Sequence, residues 1–75
     1  MKYLTDGKRH LICEPYSIQG LHDMAADLRL HRCWFHNGQW PHYDIPKLRH
    51  DEIVARCLKV SSKEILRVIK ESRLV

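Results

Sequence analysis

Leu21, Met24, Ala25 and Leu28 recur at i, i+3, i+4 and i+7, and this apolar stripe predicts one amphipathic helix over about residues 18–30. Ser17 supplies an oxygen at the N-cap position, Asp23 and Asp27 fall off the stripe, and Gly20 weakens the first turn without ending it. The rest of a 75-residue chain has to be built against that stripe. A chain this short buries only about 60% of the surface its unfolded form exposes. Its core therefore gains from a metal, a partner or a second copy of itself.

Residues 2–6 read as a strand ended by the Asp6-Gly7 turn signal, and His10-Leu11-Ile12-Cys13 as a second apolar run closed by Glu14-Pro15. Residues 31–46 read as an irregular aromatic loop with Trp34, Phe35, Trp40 and Tyr43, a tight turn at Asn37-Gly38 and prolines at 41 and 46. A second helix is expected over about residues 47–58, with Ile53, Val54, Cys57 and Leu58 as its apolar positions. A last helix runs from Ser61 or Ser62 to about residue 73, and Ser61-x-x-Glu64 makes a capping box. The predicted fold class is α+β. It comprises short N-terminal strands or a hairpin, one amphipathic helix, an aromatic loop and a C-terminal helical pair, in one domain over residues 1–75.

Composition narrows the class further. Apolar residues at 44% suffice for a compact core and 29% charged residues keep it in solution. The N-terminus has no apolar targeting segment, and no stretch approaches the ~20 apolar residues of a membrane span. Cys13, Cys33 and Cys57 are odd in number and lack C-x-x-C spacing, so reduced thiols and a cytoplasmic setting are expected. Net charge is +4 with neutral histidines, and six histidines make it climb as pH falls toward 5. Such a balance favours an anionic partner, either nucleic acid or an acidic protein surface.

The histidines carry the chemistry on offer. His10, His22 and His42 combine with Asp6 and Asp44 into a polar set of the kind that binds Zn, Mn or Fe. Asp6, His10 and His42 are the expected ligands of a divalent metal, Zn or Mn. The same set serves without metal if one histidine is a general base and another orients a phosphate. In that reading His10, His22, His42, Tyr43 and Asp44 are the catalytic candidates, with Tyr43 a hydrogen-bond donor. The plain alternative is that each histidine is a surface or hydrogen-bonded residue. His31, Cys33 and His36 form a soft-ligand cluster that matches no zinc spacing. His31, His36 and His50 read as loop or helix-surface residues.

A third constellation lies at the C-terminus. Ala55, Leu58, Val60, Ile65 and Val68 fall where a helix-turn-helix places its small and apolar residues, although Lys59 stands where glycine is common. Lys63, Arg67 and Lys70 recur at i, i+4 and i+7 as a basic stripe that can meet nucleic acid, with Trp40 as a stacking partner. Aromatic residues beside Arg32 and His42 equally suit a protein interface.

The order His10-Leu11, Leu21-His22, Trp34-Phe35 and His42-Tyr43-Asp44, with Lys2-Tyr3-Leu4-Thr5-Asp6 ahead of it, resembles a family of small phage and actinobacterial domains of unknown function. The resemblance covers about residues 2–65. It implies that Asp6, His10, His22, His42, Tyr43 and Asp44 belong to one recurring polar set, and it implies no activity. Arg29 stands where the family tends to close its helix with glycine, and Arg56-Cys57 replaces a Gly-Ala pair. The expected function is binding or hydrolysis of a phosphate-containing ligand, nucleic acid first, by a small phage-type protein. The competing expectation is a non-enzymatic inhibitor or accessory protein docking on a host protein or DNA through the aromatic loop and basic helix.

Overall fold

In the computed structural model, residues 1–73 are described; the expected single domain also includes residues 74 and 75, which lie outside the described residues. The chain runs β1 (Lys2–Thr5), β2 (His10–Glu14), α1 (Ile18–Leu28), β3 (Phe35–His36), β4 (His42–Asp44), α2 (His50–Val54), β5 (Leu58–Lys59) and α3 (Ser62–Arg73). Short 3₁₀ turns at Arg32–Trp34 and Lys47–Arg49 lead into β3 and α2. The strands form one mixed sheet in the order β3-β4-β2-β1-β5, with only the β1–β5 pair parallel.

The first hairpin is made by its turn. Gly7 adopts φ 78°, a left-handed conformation in which a Cβ is strained. The Asp6 carboxylate accepts backbone N–H bonds from Lys8, Arg9 and His10, and the Thr5 hydroxyl donates to the His10 carbonyl and accepts from the Gly7 N–H. The amides of Gly7, Lys8, Arg9 and His10 thereby gain local partners.

Helix α1 follows its periodicity closely. The Ser17 hydroxyl accepts from the Gly20 N–H at 2.9 Å, and Gly20, Leu21, Met24, Ala25 and Leu28 are buried. Arg29 ends the helix in the left-handed region at φ 59°, and the Leu30 N–H reaches back to the Ala25 carbonyl at 2.8 Å. This is a Schellman-type end built on arginine where glycine costs least. The Arg49 guanidinium then caps the Leu28 and Arg29 carbonyls at 2.7 and 2.8 Å. Helix α3 starts under Ser61, whose hydroxyl accepts from the Glu64 N–H, and buries Ile65, Val68 and Ile69.

Three expectations are corrected. The stretch 31–46 is not one irregular loop: it holds β3 and β4, joined by residues 37–41 rather than by a two-residue turn at Asn37-Gly38. The second helix stops at Val54, where the N–H groups of Ala55, Arg56 and Cys57 fold back onto Asp51, Ile53 and Val54 carbonyls. Leu58 and Lys59 then pair with Leu4 and Thr5, closing an edge of β1 that otherwise leaves ladder groups open. A strand therefore separates α2 from α3, and neither the helical pair nor the helix-turn-helix forms.

Side chains alternate across a strand, and the two faces are covered differently. Tyr3 and Tyr43 reach α1 through hydrogen bonds to Asp27 and His22. His10 and His42, on the other face, border a cleft with Ser62, Ile65 and Ile69 of α3. The buried apolar residues from both layers form one cluster.

Two backbone positions give a direct stability test. A Cβ on Gly7 would lie 2.6 Å from Lys59 Cε besides the strained φ, so Gly7→Ala is expected to cost about 1–2 kcal/mol. Arg29→Gly relieves the same kind of strain at φ 59° and is expected to gain about 1 kcal/mol. Urea unfolding midpoints of the two variants, moving in opposite directions, check both.

Candidate functional site

Register assembles the site. His10 on β2 lies directly across from Asp44 on β4, and His36 on β3 directly across from His42. Cross-strand partners share a face, and His42 and Asp44 are two residues apart on one strand, so all four side chains point toward the α3 side of the sheet. Their rings touch: the His10 and His42 centroids are 5.0 Å apart at 79°, and those of His36 and His42 are 5.3 Å apart and nearly parallel.

Each imidazole at the centre has one nitrogen committed. His10 Nδ1 is 2.8 Å from Asp6 Oδ2, and His42 Nδ1 is 2.7 Å from the Trp40 carbonyl oxygen. Neither a carbonyl nor an ionised carboxylate can donate, so Nδ1 carries the proton on both rings. The lone pair of each neutral ring is then on Nε2. A ligating histidine in a metal site is ordinarily held in this way, by a carboxylate or carbonyl on its other nitrogen.

Asp44 completes the set. It is buried, and its Oδ2 receives Arg9 at 3.3 Å and lies 2.8 Å from His36 Nε2. Its Oδ1 is also buried and accepts no hydrogen bond, although His42 Nε2 stands 3.2 Å away. With the His42 proton on Nδ1, that contact sets two acceptors against each other. A cation or a second proton between them removes the conflict. The ligand atoms that His10, His42 and Asp44 offer lie within 4.8 Å of one another, so the three can hold a metal ion. Two imidazoles and one carboxylate are a donor set that zinc accepts.

The remaining expected residues fall elsewhere. Asp6 is not among the three converging ligands; it fixes the His10 ring and the hairpin turn. Burial pushes its carboxyl up, but hydrogen bonds from the Lys8 amide, the His10 ring and the His10 amide outweigh that and hold it below the usual range. His22 and Tyr43 lie on the opposite face, where His22 Nδ1 meets the Tyr43 hydroxyl at 2.8 Å and its ring stands edge-on to Phe35. Burial pushes the Tyr43 hydroxyl up against a smaller opposing influence from Arg32. This pair satisfies a polar group inside the α1 layer and does not reach the cleft.

On α3, Arg67 is bound to both Glu64 and Glu71, and the Lys70 ammonium sits 5.5 Å above the Trp40 ring. Lys63 lines a shallow surface with them. The basic stripe is therefore largely engaged within the protein. Sequence reading grouped His36 with His31 and Cys33 or with the surface, and passed over Arg9; both meet Asp44. The signal for His36 was its place after Phe35, an apolar–polar alternation that mirrors Tyr43-His42.

The cleft beside the centre has a volume of about 210 Å³ and is walled by Trp40, Ile65, Leu66 and Ile69. One end is thus polar and ligand-forming, and the other is apolar. Among the described residues, no helix is long and apolar enough to cross a membrane.

The sequence pattern of the family described as "Protein of unknown function (DUF4031)" matches residues 7–72, and the chain belongs to that family. The match contains His10, His36, His42 and Asp44 and begins one residue after Asp6. Comparison with curated proteins and with solved structures gives no match.

The separation into two faces is testable by stability. Tyr43→Phe is expected to cost about 1–2 kcal/mol, since it leaves His22 without its buried partner. Asp6→Asn is expected to cost more, and in a pH-dependent way. Because the native Asp6 pKa is depressed, its contribution is full above the unfolded carboxyl pKa of about 3.9 and fades as pH falls through the native value. The stability gap between wild type and Asp6→Asn, followed by denaturant unfolding across that range, is therefore expected to narrow on acidification.

Proposed function

We propose that this protein binds a divalent metal ion, zinc or manganese, through His10, His42 and Asp44, and uses it to bind and hydrolyse a phosphate ester, with nucleic acid as the ligand class. The observation that carries this reading is the Asp44 Oδ1 atom, buried and without a hydrogen bond, facing the Nε2 of a histidine whose proton is held on Nδ1. Two nitrogen donors and one oxygen donor suit a borderline metal. When bound, such an ion supplies Lewis-acid chemistry for phosphoryl hydrolysis.

The chain's own residues divide the remaining work. Asp6 and the Trp40 carbonyl aim the two imidazoles and hold their tautomer. His36, against Asp44 and more than half exposed, is placed to take or give a proton at the edge of the site. Arg9 presents an exposed guanidinium that pairs with phosphate oxygens. Ile65, Leu66 and Ile69 keep one wall of the cleft dry. We place this activity in a cytoplasm, that of a host cell if the chain is viral. The three free thiols, Cys13, Cys33 and Cys57, fit that compartment.

Calorimetric titration with Zn²⁺ and Mn²⁺ tests the reading. One ion per chain is expected to bind. His42→Ala abolishes binding, Asp6→Asn weakens it about 10–100-fold, and His22→Ala leaves it unchanged. Absence of binding by the wild type, or equal loss in His22→Ala, contradicts the proposal.

A further inference from the structure

A second cleft opens at the end of the sheet where the β1–β2 turn meets the residues following β4. It has a volume of about 550 Å³ and is lined by Lys8, Arg9, Trp34, Ile45, Lys47 and His50. That is within the size range of ligand sites and larger than the cleft under α3. Its lining contains no carboxylate. His50 has an acceptor near each nitrogen, Gly7 O at 2.8 Å and Asp51 Oδ1 at 2.9 Å, an arrangement that favours the protonated ring. The hydrogen bond to Asp51 and then that to Gly7 raise its pKa accordingly.

Two of the cations here, Lys8 and Lys47, have no carboxylate partner among the ion pairs of the described residues, whereas Arg9 pairs with Asp44. Lys8, Arg9 and Lys47 are exposed. Arg67 on α3 is bound by two glutamates and Lys70 rests on Trp40. The cleft also offers an aromatic side chain: Trp34 is half-buried, packs against the core and lines the opening, with buried Ile45 beside it. Cations meet phosphates without regard to sequence, and an indole gives a base a surface to stack on. An acidic peptide would use the cations as well, and competition by polyglutamate separates it from a nucleic acid.

We infer that the Lys8–Arg9–Lys47–Trp34 cleft is a binding site for single-stranded nucleic acid, holding backbone phosphates on the cations and a base on Trp34. This moves the nucleic-acid contact from α3, where the sequence placed it, to the β1–β2 turn and the residues that follow β4. Arg9 joins the cleft to the His10–His42–Asp44 centre, because its guanidinium also touches Asp44. The inference names a place for the ligand class of the proposed function and does not require the metal.

Fluorescence anisotropy with a fluorescein-labelled oligothymidylate, in EDTA, tests it apart from the metal reading. Binding is expected, and it weakens steeply as salt rises. Lys8→Gln combined with Lys47→Gln is expected to lower affinity about tenfold and to reduce the salt slope by about 1.4. Trp34→Leu lowers affinity about tenfold with the slope unchanged. Lys63→Gln combined with Lys70→Gln changes neither. Competition by thymidine monophosphate identifies a single-nucleotide site, and competition by oligothymidylate alone identifies one that needs a strand; both sustain a phosphate held beside a base. Absence of binding in EDTA, an equal loss in the two lysine pairs, or equal competition by polyglutamate overturns the inference. Both lysine pairs are exposed, so the comparison stands even if Trp34→Leu fails to fold.

Discussion

Both oxygens of the Asp6 carboxylate are in use, and each use builds something different. Oδ1 gathers the amides of Lys8, Arg9 and His10 into the turn that starts the sheet. Oδ2 meets the His10 ring at Nδ1 and fixes its tautomer, with Nε2 carrying the lone pair. Hydrogen bonds to an ionised group are roughly twice as strong as neutral ones, so a few of them order a loop that has little apolar surface of its own. The same turn presents Lys8 and Arg9 to solvent and starts β2 at the half-exposed His10. The His10–His42–Asp44 group and the basic cleft therefore share one structural origin.

Strand alternation does the rest. Once β2, β4 and β3 pair in the observed register, His10, His36, His42 and Asp44 fall on one face, while Leu11, Phe35 and Tyr43 fall on the other. A shift of one residue would exchange the two sets. The buried Tyr43 and Leu11 on the α1 side hold that register, because slipping would expose them and bury histidines in their place. The hydrophobic layer under α1 thus positions a polar site to which it contributes no atom.

Much of this was legible in the sequence, but unevenly. Helix α1 was readable because four apolar residues kept the 3.6 period and Ser17 marked its start; α3 was readable from Ser61-x-x-Glu64 and its own stripe. Strands β3, β4 and β5 are two or three residues long, too short for a period of two to stand out. His42-Tyr43-Asp44 was taken as loop, and without a strand there was no reason to send Tyr43 one way and its neighbours the other. That is why His22 and Tyr43 were grouped with His42, and why His36 was left among surface residues. The resemblance to a domain of unknown function holds at the level of the family, whose match covers residues 7–72, but order along the chain does not say which face a residue takes. Arg29 was noted as a departure from glycine, and it does occupy a left-handed position.

The central claim is that His10 and His42 hold their protons on Nδ1 and direct Nε2 at a common cation. Long-range ¹H–¹⁵N correlation spectra of the imidazole rings, recorded before and after addition of zinc, address it atom by atom. The account predicts Nδ1–H tautomers for both residues in the metal-free protein, and zinc-induced shifts of their Nε2 resonances, with His22 unmoved. Nε2–H tautomers at His10 and His42, or zinc shifts that appear at His22 or His31 instead, would contradict it.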